Sequence, residues 1–198
     1  MAEPAILILG AGASRRMRGR DKLMEEVGGR PLLRRQIEVA SATGLDIAVA
    51  LPPRPHPRWE LIHGATGIEV TDAHSGMDAS LATGISALAN RPAVLVLLGD
   101  LPEIESDDLL AVLEARRDHP DYLVWRAVTE DGRPGHPIIF DRTLFPAFAN
   151  LPGDSGGRSV VAAAGERVLF VPTPGDRARL DLDTPEEWAA WRLSRGEG

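Results

Sequence analysis

Residues 5–22 run AILILGAGASRRMRGRDK: five apolar residues, then a glycine-rich basic loop. A short, fully apolar run of this kind suits a strand buried on both faces of a sheet. Glycines placed directly after such a strand let peptide N–H groups approach an anion closely. Lys22 closes the stretch and is the only lysine in the chain, which otherwise uses arginine. Lysine is a compact point charge and arginine a planar fork, so the two are not interchangeable at a phosphate. Residues 15–22 carry five positive charges and one negative, Asp21, in a chain of net charge −7. A small cationic patch on an acidic protein suits a small anionic ligand and argues against broad nucleic-acid binding. The alternative for the same stretch is a strand-to-helix turn with solvated arginines.

Outward from this stretch, Gly10 to Gly29 is expected to be a long loop. Pro31 opens a helix with Leu33, Ile37 and Ala40 on one face, and Gly44 ends it. Residues 46–51 (DIAVAL) form a second strand, and PPRPHPR (52–58) is predicted as an irregular surface loop. A short strand at 68–71 precedes a helix marked by Leu81, Ile85 and Leu88. The run AVLVLL (93–98) is another buried strand, ending at Gly99-Asp100. Ser106 is expected to cap a helix whose apolar side carries Leu109, Leu110 and Leu113. Strands follow at 122–128 and 136–140, separated by a turn at Glu130-Asp131-Gly132. A short helix covers 142–150, another follows Asp154-Ser155, and 167–171 is the last strand. Thr184-Pro185-Glu186-Glu187 is a capping box with proline at the first helical position. Alternating short apolar strands and helices predict a single doubly wound α/β domain over 1–198. Its sheet is mostly parallel, with helices on both faces and a loose tail from Ser194.

At 198 residues the chain is long enough for a substantial core. It has no cysteine, which excludes disulfides and thiolate metal sites and fits a cytoplasmic protein. No apolar run is long enough to span a membrane, and no signal-peptide pattern opens the chain.

In a doubly wound sheet, ligands sit outside the carboxyl ends of the strands. Gly10, Gly99-Asp100 and Gly132 to His136 can all lie on that edge. The dinucleotide motif GxGxxG fails because Arg15 takes the third glycine position. The Walker lysine motif fails because no Ser or Thr follows Lys22. Asp100, at the end of an apolar strand, is well placed to hold Mg²⁺, a hard ion that takes carboxylate and phosphate oxygens. Its other reading is a turn aspartate before Pro102. Alternation puts Asp181 and Asp183 on one side of an extended segment. Thr184 has a local task as helix cap. Asp183 is a candidate second metal carboxylate, or it simply favours the helix N-terminus. GRPGHP (132–137) forms a rigid turn that offers His136 to a substrate phosphate or ring, though a lone histidine is more often structural. The remaining histidines show no metal-ligand spacing. Ser14 lacks the flanking glycines of a nucleophile elbow.

Taken as an ordered set, these motifs resemble the MobA-like nucleotidyltransferases, above all the molybdenum-cofactor cytidylyltransferases and their guanylyltransferase relatives. The resemblance is carried by LGAGASRRMRGRDKL, GRPLL, GMDASLATGI, LLGDLP, GRPGHPIIFDRTLFP, GDSGGR and DLDTPEEW, in family order over nearly the whole chain. The chain departs from the family at Gly10, where alanine is common, and at Asp78, where a small hydroxyl residue is common. The resemblance implies that Leu9, Gly10, Ala11 and Gly12 hold the triphosphate, with Arg16 and Lys22 acting on its phosphates. It further implies Ser80 and Gly84 at the base and ribose, Mg²⁺ on Asp100 and Asp183, and Gly135 and His136 facing the acceptor. The activity implied is transfer of CMP from CTP to molybdopterin cofactor, with pyrophosphate released. A GTP-dependent guanylyltransferase, an isoprenoid-precursor or sugar-phosphate cytidylyltransferase, and a non-catalytic cofactor carrier remain alternatives. Such an enzyme is expected to meet a molybdoenzyme or its maturation chaperone transiently.

Overall fold

A computed structural model describes residues 3–72, 76–151 and 157–196. Strand β1 (Ala5–Leu9) is an interior strand of the sheet. The basic stretch then makes two single-turn 3₁₀ helices, Arg15–Met17 and Lys22–Met24. A two-residue hairpin follows, β2 (Glu26–Val27) with β3 (Arg30–Pro31). The expected long loop is therefore a folded segment. It is held in part by Ser14 and Arg18, both in the left-handed region at φ 48° and 52°. Helix α1 (Leu32–Ser41) begins one residue after Pro31 and buries Leu33, Ile37 and Ala40, the face its spacing predicts.

Strand β4 (Asp46–Leu51) follows, and then a 3₁₀ helix at Pro57–Leu61, which starts inside the stretch predicted as irregular. Strand β5 (Thr66–Glu69) lies two residues earlier than expected. Next come α2 (Met77–Ala87), β6 (Ala93–Leu98) and α3 (Ser106–Asp118). Ser106 does not cap α3. Glu105 does, exchanging hydrogen bonds with Asp108, while the Ser106 hydroxyl donates to the Val39 carbonyl at 3.1 Å. Leu110 is 42% exposed, and Val112 takes its expected place beside Leu109 in the core.

The chain then forms β7 (Val124–Val128), β8 (Pro134–Asp141) and a 3₁₀ helix at Arg142–Asn150. Helix α4 (Arg158–Ala164), β9 (Val168–Pro172) and α5 (Pro185–Ser194) complete it. The expected helix start at Asp154-Ser155 lies outside the described residues. Ser194 closes α5, and Arg195 pairs with Glu103 at 3.0 Å, which ties the helix end to the body.

The seven-stranded sheet runs β5-β4-β1-β6-β8-β7-β9, with β8 antiparallel to both neighbours and the other pairings parallel. Alternation along each strand feeds two cores. Ile6 and Ile8 pack with the buried faces of α1, α3 and α5, while Leu7 packs with α2, α4 and Phe148. The predicted two-faced α/β architecture is therefore present. On one face Trp188 and Trp191 of α5 meet edge to face, their centroids 5.8 Å apart. On the other, Gly84 lets α2 lie flat on β1, since a Cβ there would come within 2.4 Å of Leu7. The carboxyl ends of β1 and β6 lie side by side, and two loops leave from this edge. Among the described residues no helix is long and apolar enough to cross a membrane.

Candidate active site

The basic loop is shaped from behind by Arg58, whose side chain is 2% exposed. Its guanidinium donates to the carbonyls of Gly10 at 2.6 Å and Gly12 at 2.8 Å. It also grips both oxygens of Asp21, at 2.8 and 2.5 Å. Asp21 in turn accepts from the Leu23 amide and the Ser14 hydroxyl, so the two 3₁₀ turns share one knot. Burial works against the Asp21 charge, and Arg58 outweighs it, holding this carboxyl below the usual range. A trans peptide points its N–H away from its C=O. Drawing the Gly10 and Gly12 carbonyls onto Arg58 therefore turns the following amides, at Ala11 and Ala13, away from the clamp. The N–H of Gly10 itself goes to the Ala50 carbonyl at 2.9 Å, so this glycine backs the loop and has no free donor.

In front of the loop lies a cleft of about 480 Å³ walled by Leu9, Gly12, Ser80, Leu98 and the charged cluster. Asp100 enters from the end of β6, where Gly99 donates its N–H to the Leu9 carbonyl. A Cβ at Gly99 would fall 2.9 Å from that same oxygen, so the turn requires glycine. Buried Gln36 of α1 fixes the far side of the turn by donating to the Leu101 carbonyl at 2.5 Å. Asp183 is set by α5. Glu187 accepts from the Asp183 and Thr184 amides at 2.7 and 2.9 Å, completing the predicted capping box.

Lys22 lies between the two aspartates. Its Nζ is 2.5 Å from Asp100 and 2.8 Å from Asp183, with the side chain 13% exposed. Burial alone would lower this ammonium's pKa; Asp100 and Asp183 outweigh it and raise it above the usual lysine value. Arg16 reaches the other oxygen of Asp183 at 2.5 Å. Burial also opposes the Asp183 charge, and Lys22, Asp181 and Arg16 more than compensate, lowering its pKa. Asp181 is pushed the other way, to about 6, by burial, by its hydrogen bond with Asp183 and by the charges of Asp183 and Asp100. Two cations thus face three carboxylates at one sheet edge.

These carboxylates suit a hard divalent cation. One oxygen from each of Asp100, Asp181 and Asp183 lies within 4.8 Å of the others. Oδ1 of Asp100 is buried with no hydrogen-bond partner, a lone acceptor of the kind a cation satisfies.

Residues 6–168 match the MobA-like NTP transferase domain. The chain belongs to that family. Among solved structures this MobA-like transferase is similar to Rv0371c of Mycobacterium tuberculosis H37Rv. The two share 24% identity and a TM-score of 0.82, covering 96% of this chain and 97% of that one. A structure of Rv0371c in complex with manganese is similar at 22% identity and TM-score 0.76, covering 97% and 99% of the two chains. The 2-C-methyl-D-erythritol 4-phosphate cytidylyltransferase of Thermus thermophilus is similar at 25% identity and TM-score 0.65, covering 98% and 99%. The protein is a nucleotidyltransferase, and its carboxylate cluster fits a divalent metal.

The MobA-like transferase brings Leu9, Gly12, Arg16, Lys22, Ser80, Asp100 and Asp183 to one cleft. Ala11 borders a second hollow on the other side of the loop. Gly84 lies outside the cleft wall, packed on Leu7. Gly135 also packs closely: a Cβ there would come within 2.1 Å of the Ala178 carbonyl. His136 borders a separate small pocket with Arg126, and burial and the Arg126 charge lower its pKa to about 3, so it is neutral. Sequence reasoning misses three residues. Arg58 hides in a proline-rich stretch that reads as surface. Asp181 stands out only for sharing a side with Asp183. Arg126 is a charge within an otherwise apolar strand, a signal that the sequence does offer.

Proposed function

We propose that this protein transfers CMP from CTP to the phosphate of molybdenum cofactor. An acceptor phosphate oxygen attacks the α-phosphorus, the bond to the β-phosphate oxygen breaks, and pyrophosphate leaves. The observation that carries this reading is the meeting of Lys22, Arg16, Asp100 and Asp183 at the mouth of a glycine loop. No side-chain nucleophile is needed, because positioning and charge neutralisation supply the catalysis.

In this reading the backbone at Leu9, Ala11 and Gly12 holds the triphosphate. Lys22 leaves its carboxylates for the phosphates, where Arg16 joins it. Ser80, in the first turn of α2, faces the ribose and base. Asp100 and Asp183, with Asp181 beside them, would hold Mg²⁺, which would supply charge neutralisation at the phosphates. Gly135 and His136 lie on the acceptor side. A MobA-like fold and a cytidylyltransferase among the similar structures support a cytidylyl reaction. A cytoplasmic setting and a brief encounter with a molybdoenzyme or its chaperone accompany this assignment.

The test is a panel of CTP, GTP, UTP and ATP with Mg²⁺ and molybdenum cofactor, followed by pyrophosphate release and product mass. CTP is expected to be preferred. A GTP preference replaces the base assignment. Turnover only with a sugar or isoprenoid-precursor phosphate replaces the acceptor. Cofactor binding without pyrophosphate release from any triphosphate overturns the enzyme reading in favour of a carrier.

A further inference from the structure

Beside the cleft, further along the sheet, lies a second concentration of charge. Arg126 projects from the middle of β7 onto the face shared with Val124 and α4, among Ile138, Phe140 and Val161. His136 of β8 and Arg158 at the start of α4 line the same small pocket. Arg179 stands at its edge, donating to the Pro134 carbonyl at 3.3 Å. Its charge and that of Arg158 add to burial in lowering the Arg126 pKa.

Among the described residues no carboxylate lines this pocket. Within that same set Arg126, Arg158 and Arg179 have no acidic partner, and Arg126 makes one hydrogen bond, from Nε to the Gly135 carbonyl at 3.0 Å. Elsewhere Arg16, Arg58, Arg133 and Arg192 sit against carboxylates, and Arg54 and Arg116 lie over tryptophan rings. Arg158 and Arg179 are exposed, while Arg126 is half-buried among apolar side chains, where a cation without a counter-charge is costly and an anionic ligand removes that cost.

We propose that the pocket of Arg126, His136 and Arg158 binds a compact oxyanion carried by the acceptor, distinct from the phosphate that attacks the nucleotide. The assignment of the oxyanion to the acceptor rests on the reading in the preceding subsection. The location supports it. Val96 pairs with Ile138, and this register carried two residues further brings His136 alongside Leu98, a wall of the cleft. On α2, Ser80 faces the cleft while its neighbour Leu81 faces the pocket. A molecule lying across this ridge presents one end to the metal carboxylates and the other to the arginines. The enclosed space is about 10 Å³, room for a single water-sized group. The pocket therefore receives an oxygen of the anion, and the exposed Arg158 meets the remainder. Guanidinium forks match tetrahedral and planar oxyanions, and a neutral imidazole adds a hydrogen bond without a further charge.

The first test needs neither nucleotide nor acceptor. Inorganic phosphate is titrated into the whole protein while the His136 imidazole signal is followed by NMR, assigned through His136→Gln. The signal is expected to move and saturate. Arg126→Gln weakens that response roughly tenfold, as expected for one lost charge-assisted contact. Arg158→Gln, at an exposed position, gives the same direction of change if Arg126→Gln fails to fold. Lys22→Gln leaves the response in place. A wild-type signal that does not move, or one that moves equally in the two arginine variants, overturns the site. A response lost in Lys22→Gln and kept in the arginine variants assigns the phosphate to the glycine loop and also overturns it.

The second test separates an acceptor group from free anion. In turnover, Arg158→Gln is expected to raise the acceptor KM roughly tenfold and to leave the CTP KM near its original value. An unchanged acceptor KM beside a positive NMR result overturns the acceptor assignment. A positive NMR result in a protein that transfers no nucleotide keeps the pocket and rejects the proposed function.

Discussion

Two groups of cations lie on neighbouring parts of the sheet and are treated in opposite ways. At the glycine loop Lys22, Arg16 and Arg58 are all held by carboxylates. Around β7, Arg126, Arg158 and Arg179 face no carboxylate among the described residues. The loop's charges are balanced within the protein, so an incoming ligand there must exchange partners. Among the described residues the β7 charges have no carboxylate partner, so a ligand there displaces none. In the proposed function the first region exchanges its carboxylates for a metal and phosphates, and in the proposed pocket the second captures an anion.

The largest expected effect comes from breaking the balanced region at its centre. Asp100→Asn leaves Lys22 with one carboxylate and removes a metal oxygen. Turnover should fall by roughly a thousandfold, and metal affinity, measured by calorimetry, should fall with it. Unchanged metal affinity removes Asp100 from the metal site.

Arg58→Met attacks the same region from behind. It strands Asp21 and frees the Gly10 and Gly12 carbonyls. Breaking a buried, fully bonded pair of this kind costs about 3–5 kcal/mol, readable as a fall in the urea midpoint. A KM for nucleotide that rises in the surviving folded fraction marks the lost orientation of the loop. Near-wild-type stability contradicts the clamp.

Lys22→Met sharpens the idea of exchange. Turnover should drop roughly a hundredfold, as for a lost transition-state donor. In the absence of nucleotide the variant should bind divalent metal more tightly than the wild type, because the ammonium no longer occupies the carboxylates. Weaker metal binding shows instead that Lys22 organises the aspartates.

The smallest effect tests the unbalanced region through pH. His136 has a folded pKa near 3, against about 6.5 in an unfolded chain. Its neutral form is favoured by folding, so its contribution is complete above about pH 6.5 and is lost as pH falls toward 3. His136→Gln removes this dependence. Compared by urea midpoints at pH 7.5, 5.5 and 4.5, the variant should gain on the wild type as pH falls. A constant gap excludes the desolvated, Arg126-facing histidine.

The contrast also explains what is legible in the sequence. Local patterns carry well: AILIL and AVLVLL are buried strands, and Thr184 and Glu187 form the box that sets Asp183. Lys22, Asp100 and Asp183 each stand out and the family resemblance implies one site for them, but their direct ion pairing is not legible, since 78 and 161 residues separate Lys22 from its two partners. Arg58 escapes because proline-rich composition signals exposure, whereas its burial depends on Asp21 lying 37 residues away. Gly10 and Gly84 suggest ligand contact, while neighbouring backbone and Leu7 account for them by packing alone. Ser106 loses the cap to Glu105 because the Val39 carbonyl offers its hydroxyl a tertiary partner.

The separation between Lys22 and Asp183 has a temporal meaning during synthesis. At about 5–20 residues per second, a ribosome needs roughly 8–30 s to travel from one to the other. For that interval the glycine loop and the family's N-terminal signature exist without the carboxylate that pairs with Arg16 and Lys22. Lys22 and Asp183 meet only when α5 docks its tryptophans and Glu187 accepts from the Asp183 amide. A nascent or clipped chain that stops short of Asp183 leaves Lys22 with Asp100 alone, and the loop without the contacts that Glu186 and Arg192 make to Arg18 and Glu25.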